Sequence, residues 1–116
     1  MSGPTDAALP LEIDVHAVKA LMENKQDFLL LDVRESFEYE TCQIESSTLI
    51  PMSELGQRMD ELDASKERLI VVHCHHGMRS LQVTHALRSA GFDKTQSMAG
   101  GIDQWSVEID EAVPRY

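Results

Sequence analysis

A chain of 116 residues, 42% of them hydrophobic, is long enough for one packed core and too short for two. Ten Lys and Arg stand against twenty Asp and Glu, and the resulting formal charge of −10 opposes binding to nucleic acid or to an anionic membrane surface. Two cysteines are too few for a secreted disulfide framework, no apolar run is long enough to span a bilayer, and the first ten residues lack the basic and apolar regions of a signal peptide, so the expected location is the cytoplasm.

Residues 1–8 are small, polar and Pro/Gly-containing and read as a flexible tail, which leaves residues 9–116 as a single domain. Leu11-Glu12-Ile13 suits a short strand. Asp14 then stands as N-cap to a helix from Val15 to Glu23, with Val15, Val18, Leu21 and Met22 on one face. Phe28 to Val33 is a near-continuous apolar run, the pattern of a strand covered on both faces of a parallel sheet. A short helix near Ser36 to Glu40 and a small strand at Leu49-Ile50 follow, after which Ser53 is expected to cap a helix running to about Leu62 with Leu55, Met59 and Leu62 inward. Arg68 to His73 reads as a strand, and Arg79 to Ala90 as a helix closed by Gly91. Thr95 to Met98 is a last strand. Gly100-Gly101 turns the chain into a final helix carrying Trp105, which is read as core together with the methionines. Such alternation predicts a three-layer α/β/α domain around a mainly parallel central sheet of about five strands. Ligands of these sheets bind at the carboxyl ends of the strands, where Asp32 and Cys74 both fall.

The segment Val71-Val72-His73-Cys74-His75-His76-Gly77-Met78-Arg79-Ser80 carries the chemistry. A β-branched strand delivers a cysteine to a short Gly-containing loop that opens a helix, so a thiolate at Cys74 faces backbone N–H groups and the positive end of that helix. A buried, inert thiol is the commoner fate of a free cysteine. Here the four residues after Cys74 are polar or glycine, which takes it out of the core and makes it the candidate nucleophile. Arg79 sits at a helix start, where a cation is disfavoured by about 0.3–1 kcal/mol, so it calls for a compensating anion: a substrate, or one of the many carboxylates. Ser80 can cap the helix and also donate to the sulfur. Asp32 ends a buried strand and needs a partner, and Arg34 with Glu35 or Glu38 suggests a structural ion pair. His73-Cys74-His75-His76 is rich in ligating atoms, but four adjacent residues do not readily close a tetrahedron and no second ligand pair completes it, so no metal or other cofactor is expected.

Cys74 and Arg79 enclose four residues, a C-x4-R loop. Together with Leu29-Leu30-Leu31-Asp32-Val33-Arg34-Glu35 and Phe37-Glu38-Tyr39, which look like the family's L-L-D-V-R-E-x-x-E-Y, and with Ile50-Pro51-Met52-Ser53-Glu54-Leu55, Gly100-Gly101-Ile102-Asp103-Gln104-Trp105 and Val113-Pro114-Arg115-Tyr116, it resembles the single-domain rhodanese-type sulfurtransferases along most of the chain. The resemblance implies that Cys74 takes a sulfane sulfur from thiosulfate or a similar small anionic donor, becomes a persulfide, and passes the sulfur to cyanide, a thiol or an acceptor protein. It further implies that His75, His76, Gly77, Met78, Arg79 and Ser80 form the substrate-binding loop and that Asp32 supports that loop from behind. Arg or Lys is common in the family where this chain has His75 and His76, so a protonated histidine is expected to help hold the donor, with a stronger pH dependence. The family's G-H-I-x-G-A is replaced by Cys42-Gln43-Ile44-Glu45-Ser46-Ser47, and Cys42 is expected to be dispensable. Two alternatives stand beside this reading. One is a non-catalytic or sulfur-relay interaction module; the other is a small phosphatase or arsenate reductase, which the four-residue spacing disfavours against the C-x5-R loops of the tyrosine phosphatases.

Overall fold

The computed structural model describes residues 9–116; the expected tail over residues 1–8 lies outside them. Five strands, β1 (Glu12–Ile13), β2 (Phe28–Asp32), β3 (Thr48–Leu49), β4 (Leu69–His73) and β5 (Thr95–Met98), form one sheet in the order β1-β5-β4-β2-β3. Every pairing is parallel. Four helices, α1 (Val15–Glu23), α2 (Ser36–Thr41), α3 (Met78–Ser89) and α4 (Gly101–Glu108), complete the α/β architecture. The two-residue alternation of a strand explains the continuous apolar runs. Leu31, Ile70 and Val72 enter a core shared with Val83 and Leu87 of α3, whereas Leu30 and Val71 enter the opposite core with Val15, Val18, Ile102 and Trp105.

Local signals set the element ends. Asp14 Oδ1 accepts from Ala17 N at 2.8 Å and starts α1. At the far end of α3, Gly91 adopts φ 98°, its N–H donates to Arg88 O, and that of Phe92 donates to Leu87 O, the paired bonds of a Schellman stop. One expected helix is different. In place of an α-helix from Ser53 to Leu62 there are two consecutive 3-10 segments, Met52–Gln57 and Met59–Ser65, broken at Arg58 with φ −118° and ψ 16°. Gly56, a poor helix former, sits where a single helix would have its middle, and the tighter winding still buries Leu55 and Leu62. Ser53 is no cap: Pro51 precedes the first segment, and the Ser53 hydroxyl donates to Glu35 Oε1 at 2.9 Å.

The parallel order brings the carboxyl ends of β2 and β4 side by side, with Asp32 in register with His73. Cys74 follows directly, so the fold delivers the loop and the end of β2 to the same edge of the sheet.

Candidate active site

The polar loop does not take Cys74 out of the core as expected: the residue is 1% exposed and belongs to the same buried cluster as Val72, Val83 and Leu87, because the loop folds back over it and its sulfur lies inside the turn that opens α3. Gly77 N and Ser80 N both donate to Sγ, at 3.2 and 3.3 Å. Ser80 Oγ stands 3.4 Å from Sγ, and it is fixed by Gly77 O at 3.2 Å and Ser97 Oγ at 2.8 Å. The turn requires Gly77 at φ 109°, a conformation that side chains rarely adopt. Negative charge on this sulfur, or on an atom attached to it, would therefore meet two main-chain donors without any movement of the backbone, and the Ser80 hydroxyl, which accepts from the thiol and donates to Gly77 O, would reach it by rotating its proton.

The loop is held from outside by α4. Ile102 N donates to Cys74 O at 2.9 Å and Asp103 N to His75 O at 3.1 Å, so the free amides of one helix start satisfy the carbonyls of the loop. Contact this close needs Gly101, at φ 62°: a Cβ there would fall onto the His75 carbonyl and stand 2.6 Å from Cys74 O. The sequence suggests only a turn at Gly100-Gly101; a glycine pair following a strand at the same sheet end as the cysteine is the signal for the closer role.

The hydrogen bonds of Arg79 go to a carboxylate and not to the sulfur. Its Nη1 and Nη2 bind Glu38 Oε1 and Oε2 at 2.7 and 2.9 Å, and these bonds hold the Glu38 carboxyl down to about 2 against the effect of burial. Tyr116 Oη donates to Glu38 Oε2 at 2.8 Å and accepts from Arg34 Nη1 at 3.1 Å, and burial lifts the tyrosine hydroxyl to about 12. Arg34 is fully buried and pairs with Asp32, Nη2 to Oδ2 at 2.7 Å, rather than with Glu35 or Glu38. Asp32 is only two residues away across the end of β2, and Glu38 is already held by Arg79. The remaining guanidinium donors reach Glu38 O and Cys42 O, which ties α2 to the end of β2. The side-chain hydrogen bonds of Asp32 go to Arg34, so their route to the loop is the chain Arg34, Tyr116, Glu38, Arg79. Glu38 and Tyr116 have no site role in the sequence reading.

The two loop histidines differ. The His75 ring stacks on Tyr116 at 3.9 Å and 7°, and burial, reinforced by His76, keeps it below the usual imidazole range. His76 is exposed, with Nδ1 3.9 Å from Asp103 Oδ2, a carboxylate already bound to Arg115 at 2.8 Å. Met78 is 75% exposed, which corrects its assignment to the core: it occupies the first, outward position of α3. Behind the loop, His73 is completely buried with no hydrogen-bond partner for either ring nitrogen among the described residues, and burial pushes it down to about 4 despite Asp32 at 3.8 Å.

Similarity to known proteins bears on the fold and on the family. Residues 14–108 match the family described as the rhodanese-like domain. The chain is 32% identical to the thiosulfate sulfurtransferase GlpE of Coxiella burnetii over 70% of this chain and 74% of that one. It is 30% identical to the adenylyltransferase and sulfurtransferase MOCS3 of Arabidopsis thaliana over 99% of this chain, which spans 28% of that longer protein. Other curated relatives are also longer, and the chain covers 50% and 22% of two of them. The crystal structure of a rhodanese-related protein from Thermoplasma volcanium superposes with a TM-score of 0.71 at 32% identity, covering 90% of this chain and 96% of that one. No helix among the described residues is long and apolar enough to cross a membrane.

Proposed function

The chain belongs to the rhodanese-like domain family, and on that premise we propose that it is a cytoplasmic sulfurtransferase that carries a sulfane sulfur on Cys74. The donor is thiosulfate or a similar sulfane-sulfur compound, and the acceptor is cyanide, a thiol or an acceptor protein. In the first half-reaction the Cys74 thiolate attacks the outer sulfur of the donor; the donor's S–S bond breaks as the new one forms, and the remainder leaves with the electron pair. In the second, the acceptor attacks the terminal sulfur and Cys74 departs as thiolate. The observation that carries this reading is the convergence of Gly77 N, Ser80 N and Ser80 Oγ on the Cys74 sulfur. His75, His76, Gly77, Met78, Arg79 and Ser80 form the receiving loop, and Asp32 supports it through Arg34.

A phosphatase reading is weaker, because the C-x4-R loop is one residue shorter than the C-x5-R loops that receive a tetrahedral phosphate, and the charge of Arg79 is already matched by Glu38. Incubation with a sulfane-sulfur donor should make the protein heavier by one sulfur, and Cys74→Ser should abolish this gain together with thiocyanate formation from cyanide. Retained activity in that variant would overturn the assignment. Turnover of an aryl phosphate comparable to sulfur transfer would favour the phosphatase instead.

A further inference from the structure

We propose, resting on the sulfur-transfer reading above, that Glu38 is a specificity-determining residue: by occupying Arg79 it turns the site away from dianionic donors such as thiosulfate and toward thiol persulfides. The argument begins with the cations. The chain has four lysines and six arginines. Lys25, Lys66 and Lys94 lie just before β2, β4 and β5, at the opposite edge of a parallel sheet from Cys74, and Lys19 lies within α1. Arg58 binds Glu54 and Glu61, Arg68 binds Asp27, and Arg88 donates to backbone carbonyls beside β1 and β5. Three arginines remain at the Cys74 end. Arg34 is buried against Asp32, Arg115 is bound by Asp103, and Arg79 is bound by Glu38 through both terminal nitrogens. Of the loop histidines, His75 is stacked on Tyr116 with its ring held below the usual range, and His76 faces Asp103. Among the described residues, no cation at this end lacks a carboxylate or an aromatic partner.

The charge balance of the two donors then differs. Thiosulfate brings two negative charges to a thiolate; Sγ bonds the outer sulfur, sulfite leaves with the electron pair, and three negative charges are present in the transition state beside a guanidinium whose charge Glu38 already matches. A protonated thiol persulfide brings none: the same S–S exchange releases a thiolate, the proton stays on the transferred sulfur, and one negative charge is present throughout. At a site inside a molecule of net charge −10, each avoided like-charge contact counts. The rim also suits an organic thiol. Phe37 and Met78, the chain neighbours of Glu38 and Arg79, are 70% and 75% exposed, the highest values among the large apolar side chains described.

The test is the initial rate of sulfur loading on Cys74, read by intact mass on the full chain, with thiosulfate and with 2-hydroxyethyl persulfide, which is uncharged when protonated, at low and high salt. Persulfide should load the unmodified protein about tenfold faster or more, and thiosulfate loading should rise with salt as like-charge repulsion is screened. Glu38→Gln, which frees Arg79, should raise the thiosulfate-to-persulfide ratio about tenfold and turn the salt dependence of thiosulfate loading downward. His76→Lys, at an exposed position, should raise the same ratio severalfold and serves should Glu38→Gln fail to fold. Equal loading by the two donors, thiosulfate loading that falls with salt in the unmodified protein, or an unchanged ratio in the folded variants would overturn the inference while leaving sulfur transfer intact. Failure of both donors to load Cys74 would overturn the sulfur-transfer reading and this inference with it.

Discussion

Ser46 holds φ 74°, in the left-handed region that glycine enters freely and serine enters only at a cost, and it stands where the resembling family has glycine. Relief of that strain, set against the greater freedom of glycine in the unfolded chain, predicts that Ser46→Gly stabilises the fold by up to about 1 kcal/mol, visible as a higher urea midpoint at unchanged slope. The other departure in this segment, Cys42, is 6% exposed with its sulfur 3.8 Å from Arg34 Nη1. It fills space beside a guanidinium whose charge is already matched by Asp32. Cys42→Ala should therefore cost about 1–2 kcal/mol of stability through lost packing and leave sulfur loading of Cys74 intact. Lost loading in a folded Cys42→Ala protein would instead indicate a resolving thiol.

The clamp between α4 and the cysteine loop depends on Gly101, where an added Cβ would meet the carbonyls of Cys74 and His75. Gly101→Ala should push the helix start away from the loop, lowering stability by about 2–3 kcal/mol and reducing the rate of sulfur loading, since Gly77 N and Ser80 N would lose their aim at the sulfur. A folded Gly101→Ala protein with unaltered loading would show that the clamp does not set the loop. Elements with local signals were legible in the sequence: the Asp14 cap and apolar face of α1, the alternating faces hidden in the apolar runs of β2 and β4, and the Gly91 stop of α3. The cysteine loop was legible for the same reason, because its strand, turn and helix are contiguous. What escaped was long-range. Glu38 meets Arg79 across 41 residues and Tyr116 across 78, and no periodicity relates such positions. The region Met52–Ser65 escaped differently, because leucines spaced for an α-helix are buried equally well by 3-10 turns on either side of Arg58.

For the molecule as a whole, the completely buried His73 links folding to pH. Its folded-state value of about 4 lies below the ordinary 6.5, because burial outweighs the attraction of Asp32, whose charge Arg34 already balances. The unfolded chain therefore binds the proton more readily; stability is full above about pH 6.5 and falls by up to about 3 kcal/mol as pH drops through the window from about 6.5 to 4. Glu38, held at about 2 by Arg79, extends the loss in the same direction, its contribution being present above about 4.5 and lost as pH falls toward 2. His73→Leu should flatten the upper window, so that urea midpoints at about pH 5 and about pH 7.5 move closer together than in the unmodified protein. Midpoints that keep their separation would assign the acid sensitivity to other groups. The α4 clamp has a consequence of another kind. It grips the loop by main-chain carbonyls and the loop grips the sulfur by main-chain amides, so the exposed letters at His76 and Met78 are released from both duties. On the proposed sulfur-transfer reading, a lineage could rewrite those two positions, exchanging one clientele of sulfur compounds for another, with the grammar of the reaction kept in the backbone.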